Sequence, residues 1–230
     1  MTPLVLLPGM MCDAQLFAPQ IAHFSAFRAV HCAPVGQAST MEQIAFQVLA
    51  DAPSRFALAG LSMGGIVAME IVRLAPDRVE RLCLLDTNHL AETEERQSQR
   101  EPQIKAIRDG RLDAVMRDEM KPNYLFDGPR KATILDICMD MARALGPEVF
   151  ERQSRALQSR RNQTETLQAY LGKTLILCGR HDILCPVSRH EEMASMMPNA
   201  SLAIIEEAGH MPTLEQPRET NRHLSDWLND

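Results

Sequence analysis

Gly60-Leu61-Ser62-Met63-Gly64-Gly65 is the stretch on which the reading of this chain turns. It follows an apolar run of strand length, residues 56–60, and opens an apolar segment of helical character, Met63–Leu74, that stops before Pro76. A G-x-S-x-G pattern between a strand and a helix describes a very tight turn that lifts the serine oxygen into a pocket. The serine backbone is strained in such a turn, which closes only if the residues two before and two after it lack bulky side chains. Gly60 and Gly64 meet that demand, and Gly65 lets the helix lie close to the neighbouring strand. The turn also sets Ser62 at a helix N-terminus, whose free N–H groups favour developing negative charge.

Outward from that turn, apolar runs of strand length alternate with helical stretches. The expected strands are Leu4–Leu7 and residues 28–35, 56–60, 81–86, 174–179 and 201–205. Helices are expected at 14–24, from Thr40 onward with Gln43 completing a capping box, at Met63–Leu74, at 188–197 and at 214–228, which carries the only tryptophan, Trp227. Alternation of this kind indicates parallel pairing through crossover helices, hence an α/β sheet of about six strands. Between the fourth and fifth strands, residues 92–167 read as a densely charged helical insertion punctuated by Gly110, Pro122, Gly128-Pro129 and Gly146-Pro147. The expectation is one domain over 1–230 with a helical insertion at 92–167.

A serine hydroxyl is a poor nucleophile until an oriented base takes its proton. His210, in Glu207-Ala208-Gly209-His210-Met211-Pro212, follows the last strand and precedes the last helix. Loops after the strands of a parallel sheet emerge on one edge, the edge that also carries Ser62. His181 and His89 fall in loops of the same kind and are weaker competitors. His23 and His223 lie in helices, His31 in a strand, and His190 at a helix start. An acid must then fix the imidazole tautomer and stabilise its charged form. Asp182, in Cys178-Gly179-Arg180-His181-Asp182, follows the fifth strand and is favoured; Asp86, closing the fourth, is the fallback.

The chain order Ser62, Asp182, His210 is that of the α/β-hydrolases. With Leu6-Leu7-Pro8-Gly9, Gly60–Gly65, Gly179-Arg180-His181-Asp182 and Gly209-His210 in view, the chain resembles the α/β-hydrolase fold family over nearly its whole length, in its small, lid-bearing carboxylesterase-like group. The resemblance implies Ser62 as nucleophile, His210 as base and Asp182 as orienting acid. It implies an oxyanion hole made by the backbone N–H groups of Met63 and Met10, with Met11 as the alternative donor because Pro8 stands where histidine is usual. The chemistry requires no metal and no organic cofactor. The N-terminal hairpin typical of the family has no residues here, so the sheet is expected to be wholly parallel, with 28–35 at one edge, guarded by Arg28, His31 and Pro34 or covered by a partner.

The insertion would be the lid that supplies most substrate contacts. Met116, Met120, Met139 and Met141 lie in it and Met10, Met11 and Met63 flank the site, which suits a soft acyl pocket and equally suits core filling. Asn88 and His89, after the fourth strand, are substrate-contact candidates by position. Arg152, Arg155, Arg160 and Arg161 read first as a solvated helix face interleaved with Glu151 and Glu165. An arginine turned into the pocket would favour an acidic acyl chain or a phosphopantetheine-linked carrier.

The leading function is cleavage of a small carboxylic ester or thioester through an acyl-enzyme. The same triad also serves carbon–carbon bond hydrolysis, lyase or synthase chemistry and cofactor-free haloperoxidation, and a non-catalytic ligand-binding role is a third class. Composition narrows the field further. The 230 residues are 45% hydrophobic and 23% charged with a net charge of −6, ample for a core and unsuited to a phosphate backbone. No apolar run is long enough to span a membrane, and the N-terminus reads as a buried strand, not a signal peptide. Six cysteines without a C-x-x-C pair suggest reduced cytoplasmic thiols. The expected partner is a small acyl ester or thioester, with no nucleic acid and no membrane; oligomeric state is not legible.

Overall fold

Leu4–Leu7 (β1) is buried at every position, which requires cover on both of its sides. In the computed structural model, which describes residues 1–229, that cover comes from neighbouring strands and from helices on both faces. The strands are β1, β2 (Val30–Cys32), β3 (Phe56–Leu61), β4 (Val79–Leu85), β5 (Lys173–Gly179) and β6 (Ala200–Ile205). They form one sheet in the order β2-β1-β3-β4-β5-β6, and every pair is parallel. The wholly parallel six-stranded sheet is the expected one, with β2 at an edge. That edge strand is much shorter than residues 28–35. It pairs only from Leu4↔Val30 to Leu6↔Cys32, because β1 is four residues long and Pro8 ends it.

Successive strand residues point to opposite faces and so build two apolar cores. Val5, Leu7, Leu58, Leu82, Leu84 and Ile176 pack with α2 (Met41–Asp51), α3 (Met63–Leu74) and α8 (Val187–Met196). Leu4, Leu6, Ala57, Ala59, Cys83 and Leu177 pack with α1 (Ala18–Phe24) and the C-terminal helices, around Phe24, Leu224 and Trp227. The Thr40 half of the expected capping box forms at α2, its Oγ1 accepting from Gln43 N at 3.2 Å. The last helix is split in two, α9 (Pro212–Glu215) and α10 (Pro217–Asn229). The residue before a proline is driven out of helical backbone, and Gln216 sits at φ −131, ψ 63.

Between β4 and β5 lie α4 (Glu94–Arg108), the short α5 (Leu112–Ala114) with an irregular turn after it, α6 (Lys131–Gln158) and α7 (Thr164–Ala169). Helix α6 breaks at Gly146 (φ 78, ψ 178), where Pro147 begins the second half. Among the described residues no helix is long and apolar enough to cross a membrane. All six cysteines are free thiols.

Candidate active site

Ser62 joins β3 to α3 with φ 54, ψ −115, a left-handed backbone that a serine adopts only under constraint. The constraint is main-chain packing. A methyl at Gly60 would collide with Gly64 O, and one at Gly64 would collide with Leu7 O. Ser62 N donates to Leu85 O at 2.9 Å, while Ser62 O accepts from Thr87 Oγ1 at 2.7 Å. Only two other non-glycine residues have positive φ among the described residues, Met11 (φ 55) and Asp86 (φ 43). All three follow strands, so the strained residues gather at the C-terminal edge of the sheet.

The loops after β5 and β6 meet at the same edge. Gly179 has no room for a side chain because the main chain of Ala208 and Gly209 lies against it. That approach sets His210 Nδ1 2.8 Å from Asp182 Oδ2. Asp182 Oδ1 accepts from Leu184 N and Cys185 N at 2.9 and 3.1 Å. Burial pushes the Asp182 carboxyl up, but the His210 ring and those two N–H groups outweigh it and hold the group below the usual range. His210 is further fixed from the insertion, its N donating to Tyr124 O at 2.6 Å. Glu215 accepts from Gly209 N and Met211 N at 3.0 Å and from Phe126 N at 2.7 Å, tying the histidine loop to the insertion.

Ser62 and His210 line one pocket together with Met10, Met63, Thr87, Asn88 and Tyr124. No hydrogen bond joins Ser62 Oγ to the imidazole in this structure; such contacts often tighten only around substrate. Met10 N and Met63 N donate no hydrogen bond within the described chain, whereas Met11 N donates to Gln153 Oε1 at 2.9 Å. Met11 is fully buried outside the pocket. Asn88 lines the pocket and its Oδ1 accepts from Leu90 N at 3.0 Å. His89 does not line it: its ring is buried, with Nε2 3.9 Å from Glu192 Oε1.

The other candidates are occupied elsewhere. His190 is buried and pushed down to about 4 by desolvation, its Nε2 accepting from Thr87 N at 3.1 Å. His181 is exposed against the Phe126 ring. Asp86 takes Gly179 N on Oδ1 at 2.9 Å, and no histidine reaches it. Its buried Oδ2 finds no donor and faces the Asp182 carboxyl. Burial first, and the Asp182 charge second, push Asp86 well above the usual carboxylate range. Both causes favour the neutral form of Asp86 beside the Asp182 carboxylate. Ligand atoms of Asp182, Cys185 and His210 lie within 4.8 Å of one another, yet Asp182 already spends both oxygens on hydrogen bonds. Sequence reasoning passed over the pocket-lining Glu92, Arg96 and Arg100, which carry no motif.

The sequence matches the model of the alpha/beta hydrolase family over residues 4–223. The chain belongs to that family. This alpha/beta hydrolase is 30% identical over 178 residues to the dihydrolipoyllysine-residue acetyltransferase component of the acetoin cleaving system of Pseudomonas putida. The match covers 74% of this chain but only 45% of that protein, so the chain spans less than half of that relative's length. It is 24% identical to the pimeloyl-[acyl-carrier protein] methyl ester esterase of Aliivibrio salmonicida, over 98% of this chain and 91% of the relative. A malate-bound thermophilic esterase from Thermogutta terrifontis has the same fold, with a TM-score of 0.90 at 24% identity over 99% of this chain and 89% of that one. Esterases thus stand among the relatives of this member of the family.

Proposed function

We propose that this alpha/beta hydrolase is a serine hydrolase that cleaves a small carboxylic ester or thioester through an acyl-enzyme. One observation carries the reading: a strained serine at a helix N-terminus shares its pocket with an imidazole already hydrogen-bonded to a buried carboxylate. Ser62 Oγ attacks the carbonyl carbon as His210 Nε2 takes its proton, and Asp182 stabilises the imidazolium. The oxyanion forms against the unengaged N–H groups of Met63 and Met10, each contributing roughly 3–4 kcal/mol to the transition state. The engagement of Met11 N by Gln153 supports Met10 as the second donor. His210 then protonates the leaving alcohol or thiol, and a water activated by His210 releases the acid and frees Ser62. The insertion at 92–167 acts as the lid, and six free thiols suit a cytoplasmic setting.

A fluorophosphonate should label wild-type protein at Ser62 and leave Ser62→Ala unlabelled. A p-nitrophenyl ester series beside acyl thioesters should then be hydrolysed by the wild type alone. A folded wild type that neither labels nor turns over any ester would overturn the proposal.

A further inference from the structure

The pocket around Ser62 and His210 is walled on its insertion side by three arginines and one carboxylate: Arg96 and Arg100 on α4, Arg160 just past α6, and Glu92. Glu92 is buried and holds Arg100 in a bidentate pair, Nη2 at 3.0 Å and Nε closer still. That pair is complete by itself. Arg160 is a second cation on the same carboxylate, its Nη1 3.5 Å from Glu92 Oε1. The Arg160 side chain is only 6% exposed. Its Nε donates to Leu90 O at 3.0 Å, while its two Nη nitrogens make no hydrogen bond among the described residues. Arg96, whose side chain is exposed, has no ion-pair partner among the described residues.

Three guanidiniums against one carboxylate leave the wall with an excess of positive charge, of which the Arg96 share is exposed and the Arg160 share buried. Burying such an excess is costly unless a counter-charge arrives, and burial holds the Arg160 guanidinium below its usual range despite Glu92. A clamp for the insertion would need Arg100 and Glu92 alone. The neighbouring arginines differ: Arg152 donates to Gly36 O, and Arg155 pairs with Glu101 on the outer surface. Arg160 is the one of that run that lines the pocket.

Resting on the serine-hydrolase reading, we propose that this wall binds a second, anionic group on the substrate, so that the preferred esters or thioesters also carry a carboxylate. The paired Nη donors of Arg160 match a carboxylate in a forked hydrogen bond. Ile66, Leu157 and Leu184 offer apolar surface to the methylenes between that carboxylate and the scissile carbonyl.

The test compares monomethyl adipate with methyl hexanoate, equal in carbon chain and different in charge. The wild type is expected to favour the anionic ester at least about tenfold in kcat/KM, chiefly through KM, as a charged hydrogen bond in a desolvated site predicts. Arg160→Gln should lower that ratio by about tenfold. Because Arg160 also braces Leu90 and Glu92, Arg96→Gln is the second variant; it should lower the ratio about threefold, and less at high salt. Equal turnover of both esters by the wild type, or a ratio unmoved by both variants, overturns the anion site while leaving the hydrolase reading intact. Calorimetry on Ser62→Ala reads the wall without chemistry. Tight binding of monomethyl adipate over methyl hexanoate, beside a wild type that neither labels nor turns over, sustains the anion site and overturns the hydrolase reading.

Discussion

The sheet core and the helical insertion hold their shapes by different forces. In the core, the turn at Ser62 is pinned by main-chain contact through Gly60 and Gly64, and alternate strand residues fill two apolar cores. In the insertion, α4 and α6 are laced by Arg108–Glu151 and Arg155–Glu101, and Arg143 on α6 holds Asp113 at 2.7 Å. Of its 76 residues 28 are charged, against 26 of the other 154, and its positive and negative charges cancel. Exposed pairs of this kind contribute little each. The core is therefore intolerant of small changes where main chain packs on main chain, and the insertion can vary its surface while keeping its fold.

The largest expected effect lies in the core. Asp182→Asn should lower kcat on any ester by about 10⁴-fold, since the imidazole loses its tautomer lock and its counter-charge. A loss under tenfold would mean that Asp86 replaces Asp182, which its bond to Gly179 N opposes. Next comes a matched pair of glycines. Gly64→Ala drives a methyl into Leu7 O and should cost more than about 4 kcal/mol in urea unfolding. Gly146→Ala meets nothing within 4 Å, so only its φ of 78 matters, at a cost of about 1–3 kcal/mol. Equal losses at the two sites would erase the contrast between core and insertion.

Asp86 gives a smaller, pH-dependent effect. The unfolded chain ionises it above about pH 4, while burial and the Asp182 charge raise it in the folded protein, so stability falls as pH rises from there. Asp86→Asn keeps an acceptor for Gly179 N and a donor for Asp182 without the titrating proton. Its Tm advantage over wild type should widen as pH rises from about 4, and a constant difference would show that Asp86 is not raised in the fold. The smallest effect belongs to the insertion surface: Arg108→Gln should shift Tm by no more than about 2 °C. A larger drop would show that the ion pairs, not the apolar contacts, hold the insertion.

These differences also explain what was legible in the sequence. The turn at Ser62 and the loops of Asp182 and His210 were readable because backbone sterics confine them to few residue types. The short β2 and the break at Gln216-Pro217 were local matters of strand length and proline, and a closer weighing of Pro217 would have found the second. The engagement of Met11 was not readable, because Gln153 lies 142 residues away. Nor was the inward position of Arg160, which depends on how the chain turns after α6 ends at Gln158. His89 was placed by its loop alone, and strand-end loops send side chains both toward the pocket and away from it.

Glu215 has a mechanical consequence. One carboxylate grips the N–H groups of Gly209 and Met211 around the histidine and of Phe126 in the insertion, while Tyr124 O holds His210 N. Residues 124–126 and the His210 loop are thus tied to each other. An insertion that lifted away whole would pull the His210 loop with it, and the second half of α6 is moored as well, Gln153 on Met11 N and Arg152 on Gly36 O, so any opening for substrate has to leave both moorings in place.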